Sequence, residues 1–208
     1  MRPHPYDVAI IGGGPAGLSA GIWLARFLHR VILIDSGDPR NWETRRINGY
    51  LGLPGVRPSA LRGSGREEAR AHGVELVDAI CERIACHDAE HFHLLLADGR
   101  PVDARRLLLA IGLKDVWPDI PGLEHVYGAN AHVCPDCDGW ECANRKVVVL
   151  GKGRRAVGLA LDLTTWTKDM DEHYHTSVPH CYAAGRLTGA AQRLTGGSSL
   201  RCGGTSDL

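Results

Sequence analysis

Residues 6–35 read YDVAIIGGGPAGLSAGIWLARFLHRVILID, and this stretch decides the fold. Tyr6 to Ile11 is a short apolar run that suits a buried parallel strand, and Arg30 to Asp35 is a second run of the same kind. Pro15 to Leu28 lies between the two runs and has helical character. The order strand, glycine turn, helix, strand predicts a βαβ unit and therefore an α/β fold.

The turn of this unit has the pattern Gly-x-Gly-x-x-Gly. Glycines at these positions permit the tight turn, let the backbone approach a pyrophosphate and let the helix pack closely on the strand. The helix N-terminus adds unpaired N–H groups and a positive dipole end. Asp35 ends the second strand at the ~20-residue spacing from which an acid reaches a ribose hydroxyl. The pattern predicts a dinucleotide site formed by Gly12, Gly14, Pro15, Ala16, Gly17 and Asp35.

A second unit of the same type follows near residue 150. The strand-like run KVVVL precedes the pattern Gly151-x-Gly153-x-x-Ala156 and an apolar helix. Alanine in the third place still allows close packing of the helix on the strand, so this pattern predicts a nicotinamide-nucleotide site at Gly151, Gly153 and Ala156. A complete nucleotide domain needs on the order of 100 residues, and only about 25 follow Gly151 before the next recognisable segment. We therefore expect a truncated second domain.

The residues between these units predict one helix and three strands. The helix is expected from Ser59 to His72, and the strands over residues 74–85, 91–97 and 105–111. Asp98-Gly99 marks a tight turn between the second and the third of these strands. A proline-containing linker over 116–122 indicates a crossing between domains.

Charge and hydropathy exclude several classes of partner. The 208 residues include 24 basic and 24 acidic side chains, so the formal net charge of zero gives no reason to expect nucleic acid or an anionic membrane as partner. Residues 8–25 carry no charge, yet the glycines and the proline within this run would break a membrane-spanning helix. We expect a cytoplasmic protein with no role in a membrane.

Two of the seven cysteines, Cys134 and Cys137, form a CxxC pair. Such a pair can close a small redox-active disulfide, and Asp138 is placed to move a proton to or from a departing thiolate. Two alternatives stay open. One is a zinc site made of His132, Cys134, Cys137 and Cys142, which is less expected because structural zinc sites usually draw on a second, distant ligand pair. The other is an inert pair of core cysteines. We predict no metal.

Five segments together resemble the low-molecular-weight thioredoxin reductase family. They are VAIIGGGPAGLSAGIWLAR, IDSGDPRN, CPDCDGWE, VVVLGKG and TSVPHCYAAG, in that order along the chain. The CPDCDGWE form is more like relatives of these reductases that act on small dithiols. The resemblance implies a Rossmann-like FAD-binding three-layer ββα sandwich with a truncated second NAD(P)-binding βα unit. It also implies a discontinuous FAD domain, 1–118 plus 172–208, around a redox and NAD(P) domain, 119–171.

The resemblance also implies functional roles for particular residues. FAD would contact the first glycine motif and Asp35, with further contacts from Arg40, Asn41, Gly185 and Gln192. The segment 176–185 would return to the FAD domain as a strand, Cys137 would lie nearest the flavin, and Asp138 would act as acid–base.

The electron path implied by the resemblance runs from NADPH or NADH to FAD, then to the Cys134–Cys137 pair, and on to a disulfide substrate. That substrate would be a thioredoxin-like protein or a small disulfide. The same cysteine pair and FAD could also run in the opposite direction and oxidise a small dithiol, with oxygen as the electron acceptor. A truncated flavoprotein with little NADPH-dependent activity is the alternative. The edge exposed by a missing half-domain also predicts poor solubility or formation of a homodimer.

Overall fold

The computed structural model describes residues 5–88, 91–116, 119–145, 147–150, 153–166 and 182–183. Gly151, Gly185 and Gln192, predicted to bind cofactors, lie outside these ranges. The elements in chain order are β1 (Tyr6–Ile11), α1 (Pro15–Arg26), β2 (Val31–Asp35), α2 (Pro58–Ala71), β3 (Glu75–Asp78), β4 (Cys81–Asp88), β5 (His91–Leu96), β6 (Pro101–Leu109), α3 (Leu123–Val126), α4 (Pro135–Asp138), a 3-10 turn (Trp140–Cys142), β7 (Val148–Val149), α5 (Gly153–Leu163) and β8 (Tyr182–Ala183).

The first six strands form one sheet in the order β3-β2-β1-β6-β5-β4. β1 pairs in parallel with β2, with Val8 opposite Val31, and β2 pairs in parallel with β3. β6 pairs in parallel with β1 along most of its length, while its first residues pair antiparallel with β5, which in turn pairs antiparallel with β4. The parallel part has the Rossmann-like strand order, with α1 and α2 as its crossover connections.

The two faces of the parallel strands carry separate cores. Alternate residues such as Ile10 and Leu33 pack against α1 and α2, while Ala9 and Ile34 pack against the antiparallel strands. Because successive side chains of a strand point to opposite faces, the apolar residues of these strands can bury both faces at once. The result is a helical layer, a parallel sheet and a β-meander, which confirms the predicted three-layer ββα sandwich.

Two strand predictions differ from the structure. The run over 74–85 is not one strand but two, β3 and β4, because the chain leaves the parallel sheet after Asp78 and turns to pair with β5. The strand predicted at 105–111 begins earlier, at Pro101. The Asp98-Gly99 turn is confirmed and is so short that pairing resumes at once, with the Leu96 amide donating to the Arg100 carbonyl at 3.0 Å.

Residues 1–130 and 131–208 form two compact units. In the second unit β7 pairs in parallel with β8, with Val148 opposite Tyr182. Of the segment 176–185, only Tyr182 and Ala183 are described, and this pairing places both beside β7 rather than in the six-stranded sheet. The assignment of residues 172–208 to the FAD domain stays a prediction, as does the boundary at 118.

The uncharged run at residues 8–25 is divided between β1, the glycine turn and α1. No helix within the described ranges has both the length and the apolar composition that a bilayer span requires.

Two close backbone contacts at the end of β1 depend on Gly12 and Gly17. Gly12 has φ +110°, and a Cβ built there would lie 2.2 Å from the Ala110 carbonyl oxygen. A Cβ built on Gly17 would lie 1.9 Å from the Gly12 carbonyl oxygen. Because backbone cannot move aside as a side-chain tip can, any larger residue at Gly17 must push α1 away from the sheet.

A buried ion-pair network ties the end of β2 to α2. The Asp35 carboxylate accepts hydrogen bonds from Arg62 and, at 3.0 Å, from Arg66, whose other nitrogen bonds Asp78 at 2.6 Å. The Gly37 amide donates to Asp35 Oδ1 at 3.2 Å. Burial alone would raise the pKa of Asp35, but the bonds from Arg62 and the backbone amides outweigh it and hold that pKa below its usual value.

Gly17→Ala is predicted to lower the free energy of unfolding by about 1–3 kcal/mol through overpacking against Gly12. Gly63→Ala is the matched control, because Gly63 also lies inside a helix but a Cβ there meets nothing within 4 Å. The control should stabilise the protein by about 0.5–1 kcal/mol through helix propensity. Urea unfolding of both variants measures the two effects. An equal change in the free energy of unfolding of the two variants would contradict the packing argument.

The Asp35 network also predicts a pH dependence of stability. Because the folded-state pKa is depressed, the contribution of the Asp35 carboxylate is complete above its ordinary pKa and is lost as the pH falls through the folded value. Asp35→Asn should therefore cost about 3 kcal/mol at pH 7. That difference from wild type should shrink below about pH 4, where the Asp35 carboxyl of the unfolded chain begins to protonate while that of the folded chain is still ionised. Unfolding measured from pH 7 to pH 3 tests this.

The exposed Asp119 supplies the control for the pH series. Asp119→Asn should stay within about 0.5 kcal/mol of wild type throughout. A difference for Asp35→Asn that stayed constant down to pH 3 would show that its carboxylate charge does not stabilise the fold.

Candidate functional site

The turn before α1 is shaped to receive an anion. A Cβ on Gly14 would meet no protein atom within 4 Å, in contrast to Gly12 and Gly17. Gly14 is the N-cap of α1 and makes no side-chain capping bond, and the first turn of the helix carries no acidic side chain. Open space over an uncapped helix N-terminus is the arrangement in which backbone N–H groups and the helix dipole favour a phosphate.

A small pocket opens at this helix end. It brings together the N-terminal residues of α1, part of the loop after β2 and the first turns of α2. Its lining consists of Gly14, Pro15, Pro39, Asn41, Trp42, Ile47, Pro58, Ser59, Leu61 and Arg62. Of the residues predicted to contact the cofactor, Gly14, Pro15 and Asn41 therefore line one cavity. Arg62 is its one charged lining residue, and sequence reasoning did not single it out.

Asp35 lies beside the same turn. A Cβ on Gly13 would collide with the Asp35 carboxylate, so the acid at the end of β2 reaches the glycine turn as the sequence predicts. The carboxylate is buried and its pKa is held low, so it is an anionic hydrogen-bond acceptor at neutral pH. Such an acceptor suits a sugar hydroxyl.

Arg40, predicted to contact the flavin, makes a two-pronged ion pair with Asp115 at 2.7 and 2.8 Å. Tyr127 also donates to Asp115, at 2.9 Å. The bond from Arg40 lowers the pKa of Asp115, and the same bond raises the pKa of Arg40. Arg40 thus joins the loop after β2 to the segment after β6, and its predicted flavin contact stays a prediction.

The Cys134–Cys137 pair is closed as a disulfide with a Cα–Cα distance of 5.3 Å. Cys134 is the N-cap of α4 and Cys137 lies within this single turn, which places the two sulfurs on the same side. Gly139 follows the turn, and a Cβ there would lie 2.6 Å from both the Pro135 carbonyl oxygen and the Trp166 ring. The CxxCxG spacing therefore suits a redox pair whose turn packs against the residues after α5.

The Asp138 carboxylate contacts the His132 imidazole, with Oδ2 and Nδ1 3.3 Å apart. The His132 side chain is 26% exposed and that of Asp138 is 19% exposed. The sequence suggested His132 only as a candidate zinc ligand, and its pairing with Asp138 was missed. Within the described ranges, no three His, Cys, Asp or Glu side chains group in a way that could hold a metal ion. The zinc alternative at 132–142 thus finds no support in the geometry.

The second glycine pattern is only partly described. Gly153 begins α5, and Ala156 is buried where that helix packs on β7, which agrees with the close helix–strand packing expected there. The predicted nucleotide contacts at these positions stay predictions.

Known proteins resemble the chain in both sequence and structure. Residues 6–170 match the model of the family described as pyridine nucleotide-disulphide oxidoreductase. A protein of Arthroderma benhamiae named "Probable thioredoxin reductase" is 34% identical over 80% of this chain and 43% of its own length. Thioredoxin reductase tcpT of Claviceps purpurea is 35% identical over 71% of this chain and 47% of its own.

A solved structure supports the same relationship. Thioredoxin reductase from Streptococcus pyogenes superposes with a TM-score of 0.74 at 27% identity, covering 89% of this chain and 60% of that one. The chain spans about half the length of the curated relatives it matches. With the family match extending across both compact units, the chain belongs to the pyridine nucleotide-disulphide oxidoreductase family.

Proposed function

We propose that the chain is an FAD-dependent thiol–disulfide oxidoreductase that passes electrons from NADPH or NADH through FAD to the Cys134–Cys137 disulfide. The observation that carries the proposal is a closed CxxC disulfide in a chain that also has a small pocket beside a Gly-x-Gly-x-x-Gly turn. Relatives named thioredoxin reductase, and the family to which the chain belongs, support it.

The first unit would hold the FAD. Gly14 leaves room over the N-terminus of α1 for the pyrophosphate, with Pro15 and Ala16 beside it, while Gly12 and Gly17 keep the turn tight. The ionised Asp35 would accept a hydrogen bond from the adenosine ribose, and Asn41 would contact the ligand from the loop. When bound, FAD supplies two-electron transfer between a nicotinamide and a disulfide. Gly151, Gly153 and Ala156 would receive the nicotinamide nucleotide.

The second unit would hold the dithiol chemistry. Two electrons and two protons convert the Cys134–Cys137 disulfide into two thiols. The thiolate of one cysteine then attacks a substrate disulfide, which forms a mixed disulfide and releases one substrate thiolate. The other cysteine attacks the mixed disulfide, which restores the Cys134–Cys137 disulfide and releases the second substrate thiolate. Asp138 would give and take the proton at the departing sulfur, and its contact with His132 would help to position the carboxylate.

The substrate would be a thioredoxin-like protein or a small disulfide, and oxidation of a small dithiol runs the same steps in reverse. The relatives' names favour the thioredoxin-like protein. We also propose that the protein forms a homodimer and acts in the cytoplasm.

Gly14→Ala tests the flavin site. The new methyl group has room in the protein, so the fold should change little, but it would enter the space assigned to the pyrophosphate. FAD affinity is expected to fall by about 10-fold or more, equivalent to ~1.4 kcal/mol. Quenching of flavin fluorescence on titration measures the affinity, and the melting temperature monitors the fold.

Gly63→Ala serves again as the control and should bind FAD like wild type. A wild-type protein that takes up no FAD would refute the flavoprotein proposal itself. Unchanged affinity in Gly14→Ala would instead show that the pyrophosphate does not lie over this turn.

Cysteine variants test the redox pair. Reduction of the FAD-loaded wild type should add two titratable thiols per chain, because one disulfide opens. Cys134→Ser and Cys137→Ser should each show no such gain, whereas Cys142→Ser, which removes a cysteine outside the disulfide, should show the full gain. Thiol titration before and after anaerobic reduction measures this.

The choice of reductant separates the two versions of the function. Gain of thiols with NADPH or NADH supports the complete electron path. Gain with dithionite alone supports the alternative, a flavoprotein with little nicotinamide-dependent activity. No gain with either reductant would contradict the oxidoreductase proposal.

A further inference from the structure

Arg62 is the charged residue that lines the pocket at the N-terminus of α1. From its position we infer that Arg62 binds a phosphate of the dinucleotide and makes the pocket select phosphorylated over unphosphorylated adenosine ligands. The inference rests on the proposed function, since it adds a specificity residue to the proposed FAD site. No glycine motif or strand-end acid supplies this contact; it comes from the face of α2.

Arg62 and the glycine turn line the same pocket. Gly14 and Pro15 form one wall, and Pro58, Ser59 and Leu61 bring the start of α2 to the other. The lining includes one cation and no carboxylate. An anion entering between these walls would therefore meet a guanidinium and no opposing negative charge within the lining.

Arg62 is not the sole support of its partner Asp35. Arg66 bonds the same carboxylate oxygen at 3.0 Å and is itself fixed by Asp78 at 2.6 Å. The Gly37 amide bonds the other oxygen at 3.2 Å. Asp35 thus keeps a buried cationic partner and an amide if Arg62 turns to another anion, so the two arginines have separable roles.

The exposures of the two arginines agree with this division. The Arg66 side chain is 10% exposed and that of Arg62 is 19% exposed. The bond from Arg62 to Asp35 uses one nitrogen, Nη2, of a guanidinium that carries five N–H donors in a planar fork. Donors remain for phosphate oxygens, and the fork geometry suits bidentate binding of a phosphate.

ADP and adenosine are suitable probes, because they share the base and the ribose and differ in the pyrophosphate. Calorimetric titration of the whole chain gives the affinity for each. In Arg62→Met, ADP should bind about 10- to 100-fold more weakly, the range of a charge-assisted hydrogen bond. Adenosine, held through Asp35, should change by less than about 3-fold.

Arg70→Met is the matched control. Arg70 lies on the same helix, is exposed and is absent from the pocket lining, so its removal changes the net charge identically. ADP affinity in this variant should stay within about 2-fold of wild type. Arg62→Lys keeps a positive charge but loses the planar fork of the guanidinium. Its ADP affinity should lie between those of wild type and Arg62→Met. It also serves as the test variant if Arg62→Met fails to fold.

Each of the other outcomes contradicts the Arg62 inference, the proposed flavin site or both. Equal losses for ADP and adenosine in Arg62→Met would mean that Arg62 acts only by orienting Asp35, and unchanged ADP affinity would mean that it does not contact phosphate. Either result overturns the inference while FAD binding by the wild type keeps the proposed function. Wild-type binding of ADP without FAD would refute the proposed flavin site and leave the inference standing. Binding of neither would refute both.

Discussion

The contact between α1 and β1 at Gly12 and Gly17 is the constraint on which the rest of the first unit depends. It brings the Gly17 backbone so close to the Gly12 carbonyl that no Cβ fits between them. Because the helix is held there, its N-terminus stands at the end of the sheet, next to the acid that closes β2. The pocket at this helix end is therefore a consequence of how tightly one helix packs on one strand, and a looser contact would move the pocket as well as weaken the core.

Local chemistry explains why this part of the fold was predictable. The glycine turn, the apolar strands on either side and the Asp98-Gly99 turn each depend on neighbouring residues, and each lies where the sequence places it. The CxxC disulfide is equally local, since one turn of α4 brings its two sulfurs together. The split of residues 74–85 into β3 and β4 was not predictable in this way. An apolar run does not indicate which partner strand each half will choose.

The residues that sequence reasoning missed are those whose roles depend on distant partners. Arg62 and Arg66 are four residues apart, so they share a face of α2, but nothing in their neighbourhood indicates that this face meets Asp35. Arg40 was predicted as a cofactor contact within the segment IDSGDPRN, but its pairing with Asp115, far along the chain, was not. His132 and Asp138 belong to one short segment, yet their pairing depends on the turn made by α4.

Asp35 shows how stability and ligand binding become linked in such a fold. In the proposed site Asp35 would accept a ribose hydroxyl as an ionised carboxylate, and burial opposes ionisation. The cations that offset this burial must come from elsewhere in the chain, and α2 supplies them from the helical layer. The same ion pairs then hold that layer onto the end of β2. A substitution that loosens α2 should therefore weaken nucleotide binding without touching the ligand, because the acid would lose the charges that keep it an acceptor.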